Sequence, residues 1–197
     1  METQYAIASV FNAVAGLYLL AVLLRFLLQL ARADFYNPAS QVVVRVTDPM
    51  VRIFRSFIPG YRNFDFATLL VALLVEALAI YALLTIYGIR IPGVGTILSL
   101  SVLGVTYFII HIYWYAIIAS IIMSFVMMFS GNTNPHPLLI LVWQLTDPVM
   151  APFRKVLPPM GGLDFSPIFV FILIRFLLVF LDNTFQVQDF SLVVIGI

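Results

Sequence analysis

The hydrophobic positions of the chain fall into four long runs, separated by shorter segments of mixed character. The runs predict membrane-spanning helices over about Tyr5–Leu30, Ala67–Tyr87, Gly104–Phe129 and Pro167–Leu181, because a helix needs about 20 apolar residues to cross the hydrocarbon core. The fourth run is short, and a tilted or locally thinned bilayer is one way to accommodate it. The stretch after residue 185 is too short for a fifth crossing and is expected in the membrane interface.

Two of the mixed segments are nearly the same. TDPMVRIFRSFIPG begins at Thr47, and TDPVMAPFRKVLPP begins 99 residues later, at Thr146. Because matches among Pro and Asp positions at one constant offset are improbable by chance, the segments predict an internal repeat. The offset aligns Pro38 with Pro137, Asp48 with Asp147, Pro49 with Pro148, Arg55 with Arg154, Pro59 with Pro158, Asp65 with Asp164 and Phe66 with Phe165.

Each repeat has the order spanning helix, cytoplasmic amphipathic segment, spanning helix. The first repeat covers residues 1–96 with its amphipathic segment at 38–59, and the second covers residues 97–197 with its segment at 137–158. Since one repeat crosses the membrane twice, both copies enter it in the same direction, which predicts parallel repeats about an axis along the membrane normal. The predicted fold class is an all-α polytopic membrane protein with about four transmembrane helices.

The Thr-Asp-Pro motif predicts the start of a short helix in each copy. Thr47 or Asp48 would cap this helix, and Pro49 would occupy its first turn, where the missing N–H of proline costs nothing. Apolar side chains then share one helical face, with Arg52 and Arg55 on the other. The second copy repeats this pattern beside Arg154 and Lys155. Such helices lie in the headgroup layer, where basic side chains reach the phosphates of anionic lipids.

The residues around this predicted helix carry local signals as well. Pro59 and Pro158 are predicted to end the two amphipathic helices, and Asp65 and Asp164 to cap the spanning helices that follow. A short apolar stretch precedes each motif, PASQVVVRV in one copy and PLLILVWQL in the other. Interfacial or packed helices are favoured for these stretches over a re-entrant element, whose broken backbone would need shielding by protein or water.

Composition supports this interpretation of the pattern. Of the 197 residues, 63% are hydrophobic and 10% are charged, and the mean hydropathy is +1.10, which is typical of a membrane protein. The net charge of +1 does not suggest a nucleic-acid partner. Basic residues concentrate between spans one and two and between spans three and four, so these segments are predicted to be cytoplasmic and both termini to face out.

Two charged residues are predicted inside the membrane, at equivalent positions of the repeats. Glu76 and Arg175 are 99 residues apart, and a charge near mid-bilayer costs about 2.5 to 3.5 kcal/mol on insertion scales. If the repeat axis runs between spans two and four, the two residues would form an ion pair. Arg25 is an alternative partner for Glu76, and Arg175 could instead extend toward Asp182. Glu76 is then either a structural pair member or a group that titrates or contacts a moving ion.

No motif points to catalysis or to a cofactor. Tyr107, His111, Trp114 and Tyr115 can share a helical face, which would form a ligand-binding wall or, more commonly, packing or an interfacial belt. The chain has no cysteine, no Walker loop and no hydrolase or metalloprotease motif. No enzyme activity, cofactor or metal is therefore expected.

The doubled series of Pro, TDP, FR, Pro and DF, each set within a pair of spans, resembles the YggT family, called YlmG in Gram-positive bacteria and found also in plastids. The resemblance covers nearly the whole chain and implies a bacterial inner-membrane protein. It implies an association with osmotic tolerance and cation uptake, with cell division and envelope organisation, or with assembly of membrane complexes. The second copy departs from the first by having Pro152 inside its amphipathic segment.

Two classes of function follow. A conduit or transporter would use the region of Glu76, and because four helices are few for enclosing a pore, it would require a homo-oligomer. An assembly or scaffold protein would use the basic cytoplasmic surface to bind anionic lipid or a membrane-protein partner. The intramembrane charges place ion and osmotic homeostasis ahead of scaffolding.

Overall fold

A computed structural model of the chain describes residues 2–130, 136–156, 164–186 and 190–195. Four helices in these ranges are long and apolar enough to cross a membrane, and the predicted all-α polytopic fold is confirmed. The described residues form six α-helices: α1 (Glu2–Leu30), α2 (Pro38–Arg55), α3 (Phe66–Tyr87), α4 (Val94–Ser130), α5 (Pro137–Val156) and α6 (Ser166–Phe185).

Helix α4 departs most from its predicted span. It begins at Val94 instead of Gly104 and has 37 residues, which at 1.5 Å per residue makes it about 55 Å long. The added turns contain serines whose hydroxyls bond their own helix: Ser99 donates to the Thr96 carbonyl at 2.9 Å and Ser101 to the Ile97 carbonyl at 2.7 Å. These bonds satisfy the polar side chains locally, so the apolar pattern continues as helix beyond the predicted boundary.

The prediction that Thr-Asp-Pro starts a helix is wrong. Helix α2 begins at Pro38, and the Asn37 side chain caps it by accepting a first-turn backbone N–H at 3.0 Å. Pro49 lies inside this helix, and Pro148 lies inside α5, which begins at Pro137. An interior proline removes one backbone hydrogen bond, but the apolar stretch before each motif continues the same helical face and keeps the segment in one helix.

The predicted end of α2 is also displaced. Helix α2 stops at Arg55, with Ser56 as its C-cap, so Pro59 lies beyond the end and does not itself terminate the helix. Helix α5 is described as far as Val156, and the predicted end at Pro158 lies outside the described residues. Both helices therefore begin earlier than the sequence predicts, and α2 also ends earlier.

Helix α2 presents three different faces. Thr47 and Val51 are buried where the helix packs against α1 and α3. Polar and charged residues, among them Arg45 and Arg52, form a second, exposed face. The unbroken helix favours the interfacial interpretation over a re-entrant one, because no interrupted backbone needs shielding. The third face is an exposed apolar stripe at helical spacing, formed by Val42, Val46, Met50 and Ile53, and Phe57 is exposed just beyond the helix end.

Each repeat forms a three-helix bundle: in the first, α1 packs along α3 and α2 closes one end; in the second, α4 packs with α5 and α6. The two bundles pack against each other along α3 and α4, and the main core cluster of the first repeat also contains Val105 of α4. They meet again where the Asp34 backbone N–H donates to Gln144 Oε1 at 3.0 Å and Asn37 Nδ2 donates to the Pro137 carbonyl at 2.7 Å. Within the apolar windows of these spans, 39% of α3 is buried but only 11% of α6, so the second bundle exposes more of its apolar surface.

The C-terminal segment, residues 190–195, packs against α1, α3 and α4. Val193, Val194 and Ile195 are buried. The two valines join a cluster with Ala8 of α1 and Ile80 of α3, and Ile195 belongs to the main core cluster. The expectation of an interfacial position is therefore wrong for this segment. Its apolar residues are too few to cross a membrane but sufficient to fill a groove between α1, α3 and α4.

Candidate functional site: a repeated ion pair and a buried carboxylate

Asp65 joins the end of α2 to the start of α3. Its side chain accepts the Thr68 N–H at 3.2 Å and the Thr68 hydroxyl at 2.6 Å, so the predicted N-cap is confirmed. Arg55 forms an ion pair with the same carboxylate, which is only 1% exposed. Burial alone would raise the pKa of Asp65, but the hydrogen bonds from Thr68 and Arg55 outweigh it and hold the pKa below its ordinary value.

The second repeat builds the same ion pair. Arg154 Nε lies 2.8 Å from Asp164 Oδ2, and Asp164 Oδ1 accepts the Ser166 N–H at 2.9 Å. The N-cap position itself belongs to Phe165, so Asp164 is not the predicted cap and binds the helix start from the residue before it. Burial again opposes the effect, yet the bonds from Arg154 and Ser166 hold the pKa of Asp164 below its ordinary value. The FR and DF motifs thus clamp an amphipathic helix to a spanning helix in both copies.

In the first repeat, the Thr-Asp-Pro motif binds Arg25. The Arg25 guanidinium, on α1, donates to Thr47 Oγ1 at 3.0 Å and to Asp48 Oδ1 at 3.1 Å, with a longer contact of 3.4 Å to the Val44 carbonyl. Thr47 is held in place because its hydroxyl donates to the Val43 carbonyl at 2.7 Å. Arg25 is 3% exposed, and Asp48 therefore acts as the counter-ion of a buried cation instead of a helix cap.

In the second repeat, the motif lacks this cation. Ser124 stands at the position equivalent to Arg25. Thr146 keeps the local bond, donating to the Val142 carbonyl at 3.0 Å, but Asp147 pairs with Arg154 at 2.9 Å. Arg154 is therefore shared between two carboxylates, Asp147 and Asp164.

Glu76 lies in the first bundle with its side chain fully buried. Its Oε1 accepts the backbone N–H of Ile195 at 2.9 Å, whereas Oε2 has no hydrogen-bond partner among the described residues. The close approach of α4 depends on Gly104, since a Cβ there would lie 2.5 Å from Glu76 Oε1 and 2.6 Å from a methyl group of Val194. The carboxylate is enclosed by α3, α4 and the C-terminal segment.

The predicted ion pairs of Glu76 are wrong. Neither Arg175 nor Arg25 pairs with it among the described residues; Arg25 binds Asp48, and Arg175 is exposed on α6. The alternative contact of Arg175 with Asp182 is not formed either, and Asp182 accepts a hydrogen bond from the Tyr107 hydroxyl. The repeats place residues 76 and 175 at equal positions along their helices, but the two helices present these positions to different surroundings.

Several features of the site were missed by sequence reasoning. The contact of Glu76 with Ile195 joins residues 119 positions apart, and no local pattern signals it. The alignment of the repeats shows that Ser124 stands where the first copy has Arg25. It does not show that Arg25 binds Thr47 and Asp48. Arg52 and Lys155 are exposed, as the amphipathic pattern predicts. Among the described residues, no cluster of three or more His, Asp or Glu side chains is arranged to hold a metal ion.

Two bundles, each made of two spanning helices and an amphipathic helix held by an Arg–Asp pair, define a polytopic membrane protein with a duplicated unit. A sequence profile of the CCB3/YggT family matches residues 4–86 and, separately, residues 99–185. The chain belongs to this family, and the two matches are consistent with the predicted repeat.

Relatives cover most of the chain. An uncharacterized protein of Pseudomonas aeruginosa is 41% identical over 167 residues, which is 84% of this chain and 83% of that protein. The uncharacterized protein YggT of Escherichia coli (strain K12) is 36% identical over 166 residues, 83% of this chain and 82% of the relative. An uncharacterized protein of Haemophilus influenzae is 32% identical over 184 residues, 92% of this chain and 90% of the relative. No solved structure matches the chain.

Proposed function

We propose that this protein is a non-enzymatic, transport-like component of cation homeostasis and osmotic stress tolerance, in which Glu76 binds the proton or cation. One observation carries the proposal: the carboxylate is fully buried within a bundle of spanning helices and keeps one oxygen without a partner among the described residues. Such a group is costly in an apolar interior unless a proton or a cation neutralises it.

The surroundings of Glu76 add to this argument. Asn12 of α1 also has a buried side-chain oxygen without a partner among the described residues. It lies one helical turn before Gly16, where an added Cβ would touch the Ile195 side chain at 3.4 Å. Uncoordinated oxygen atoms are the ligands that hard cations prefer. The C-terminal segment covers this region, so its displacement would open the carboxylate.

The test is cation flux into proteoliposomes, measured separately for protons, K⁺ and Na⁺. Glu76→Gln keeps the size of the side chain and removes its charge, and Glu2→Gln makes the same exchange at an exposed position of α1. We expect saturable or selective flux in the wild type and in Glu2→Gln, and at least a tenfold loss in Glu76→Gln. Equal flux in wild-type and protein-free vesicles, with the protein shown to be folded, would contradict the proposal.

A scaffold function is the second candidate, and the position of Arg175 favours it. Arg175 is exposed in the middle of α6, about 14 Å from the start of that helix by its rise per residue. A lone arginine facing lipid at this depth is costly, and an acidic or polar group on a neighbouring membrane protein would relieve the cost. Photocrosslinking from Ile172, on the same exposed surface, tests this idea.

The scaffold interpretation expects one stoichiometric adduct from Ile172 that is lost in Arg175→Leu. Crosslinking from Tyr115, an exposed residue of α4, is the control and should not give the same adduct. A smear of adducts that Arg175→Leu leaves unchanged would count against a defined partner.

The two interfacial helices are proposed to contact anionic lipid headgroups on the cytoplasmic side of a bacterial inner membrane, with both termini in the periplasm. A groove of about 590 Å³ beside α2 supports lipid contact, because Arg45, Arg52 and Phe35 line it. The chain has no cysteine, so single cysteines introduced at Tyr5 and Ile53 can be labelled by a membrane-impermeant reagent in intact cells. Labelling of Ile53→Cys but not of Tyr5→Cys would reverse the assigned orientation.

A further inference from the structure

The two copies of the Thr-Asp-Pro motif offer the same set of hydrogen-bond acceptors, but only the first copy binds an arginine side chain with them. In the first copy a threonine hydroxyl, an aspartate and a backbone carbonyl receive the guanidinium of Arg25. The equivalent groups of the second copy are Thr146, Asp147 and the Trp143 carbonyl. Thr146 is 2% exposed and makes the same backbone contacts as its counterpart. The acceptors are therefore retained where the arginine is not.

The space beside Ser124 is a pocket. It has a volume of about 490 Å³, which is sufficient for a group far larger than a guanidinium. Trp143 is among its lining residues, and an indole ring can bind a cation through its aromatic face. The full lining consists of Ala31, Ser124, Trp143, Gln144, Thr146, Asp147, Pro148 and Arg154.

The charges around the pocket are not balanced. In the first copy, Arg25 pairs with Asp48 and Arg55 pairs with Asp65, so each carboxylate has its own cation. In the second copy Arg154 alone serves both Asp147 and Asp164. Lys155 is exposed and forms no ion pair with them in the part of the chain that the structure describes. The cluster therefore has one positive charge fewer than its counterpart.

We propose that this pocket binds a guanidinium group supplied from outside the chain, which occupies the position that Arg25 fills in the first repeat. The group donates to Thr146 Oγ1 and to the Asp147 carboxylate and stacks against Trp143. A planar guanidinium suits this set because it donates several hydrogen bonds in a fixed geometry. Its source is either a free guanidino compound or the arginine side chain of a bound protein segment.

The fluorescence of Trp143 can report binding in the pocket. The chain has two tryptophans, so Trp114→Phe leaves Trp143 as the single indole of the purified full-length protein. Methylguanidinium chloride is then titrated in detergent, with tetramethylammonium chloride at the same ionic strength as the control cation. We expect a saturable change in fluorescence with methylguanidinium only. The absence of any saturable change would overturn the proposal.

Two variants locate the site. Ser124→Arg supplies the guanidinium in cis and should abolish the titration, and Asp147→Asn should weaken binding at least tenfold by removing a charged acceptor. Ser99→Arg introduces the same side chain at an exposed position near the other end of α4 and should leave binding unchanged. Undiminished binding to a folded Ser124→Arg protein would contradict the assigned position.

The melting temperature gives a second, independent measurement. Ser124→Arg should melt above the wild type, because it rebuilds the contacts of Arg25, and adding Asp147→Asn should remove that gain. A Ser124→Arg protein that melts no higher than Ser99→Arg would also count against the site. Stronger binding of an acetylated, amidated Ala-Arg-Ala peptide than of agmatine would assign the group to a protein segment, and the reverse order to a free compound.

Discussion

The first repeat encloses its charges, whereas the second exposes them. Arg25 and Glu76 of the first repeat are both buried, at 3% and 0% exposure. Their counterparts are Ser124, beside an open pocket, and Arg175, on the exposed surface of α6. The ion pair between interfacial and spanning helix is nevertheless present in both repeats. The two copies therefore share the ion pair that connects their helices, but they differ at the positions of Arg25 and Glu76.

This difference distinguishes residues with a structural role in both repeats from residues that differ between the repeats. Arg55 and Asp65 have equivalents in the second repeat, and in both repeats the pair connects the amphipathic helix to the next span. Arg25 and Glu76 are replaced in the second repeat by residues of different charge. The functions proposed above accordingly differ between the repeats: ion binding at Glu76 in the first, and binding of outside groups at Ser124 and Arg175 in the second.

The largest expected loss of stability follows from disrupting the buried ion pair of Arg55 and Asp65. Asp65→Ala removes an N-cap and the partner of Arg55 from a site that is 1% exposed. It should lower the free energy of unfolding by about 2 to 3 kcal/mol, the loss being limited because Arg55 can rehydrate. The measurement is reversible unfolding in mixed micelles.

Asp164→Ala is the matched variant of the second repeat. Its ion pair is more exposed, with 30% of the Asp164 side chain accessible, so we expect a loss of only about 1 kcal/mol. Equal losses in the two variants would contradict the view that the first repeat is the more enclosed one.

Exchanging Arg25 for the residue of the other repeat is the next largest change. Arg25→Ser removes the hydrogen bonds to Thr47 and Asp48 and leaves a cavity, at an expected cost of about 2 kcal/mol, since Asp48 is half exposed and regains water. Methylguanidinium should restore part of the lost thermal stability in this variant. Arg52→Ser, at an exposed position of α2, controls for loss of a positive charge and should show no such rescue.

A third prediction concerns the contact between α4 and Glu76. Gly104→Ala places a methyl group within 2.6 Å of both Glu76 and Val194, so the C-terminal segment must shift, at a cost of about 1.5 kcal/mol. Limited proteolysis should then cleave the C-terminal segment faster. Gly95→Ala, where an added Cβ meets nothing within 4 Å, should leave cleavage unchanged, and equal protection in both variants would show that the segment tolerates the methyl group.

The sequence predicts the architecture well because the spanning helices of a membrane protein can be recognised from local stretches of sequence. Apolar runs of sufficient length must be helices in a bilayer, and the constant offset of 99 residues reveals the repeat without any structure. Asp65 as a cap of α3 is predictable for the same reason, since capping joins residues three positions apart.

The contacts of the charged residues could not be predicted from spacing. Glu76 and Arg175 lie at equal positions of equivalent helices, yet which side of a helix faces the bundle depends on packing against the other helices. The surroundings of the two residues differ in this respect, because the C-terminal segment covers Glu76, whereas Arg175 is exposed. The Thr-Asp-Pro motif was misinterpreted because cap propensity is local, whereas the continuous face of α2 and the partner on α1 are not.

The smallest predicted effect is on the acid side of the stability profile. The pKa values of Asp65 and Asp164 lie below the ordinary value of 3.8 in the folded protein, so the unfolded chain binds protons more readily than the folded one. Their stabilisation is therefore complete above about pH 4 and is lost as the pH falls through the lowered folded pKa values. Melting temperatures between about pH 5 and pH 3 should fall less steeply in Asp65→Asn than in the wild type, and Asp164→Asn should change the slope less. A larger effect of Asp164→Asn than of Asp65→Asn would mean that the more exposed ion pair stabilises its carboxylate more strongly. That result would contradict the expectation that the enclosed pair of the first repeat has the larger effect.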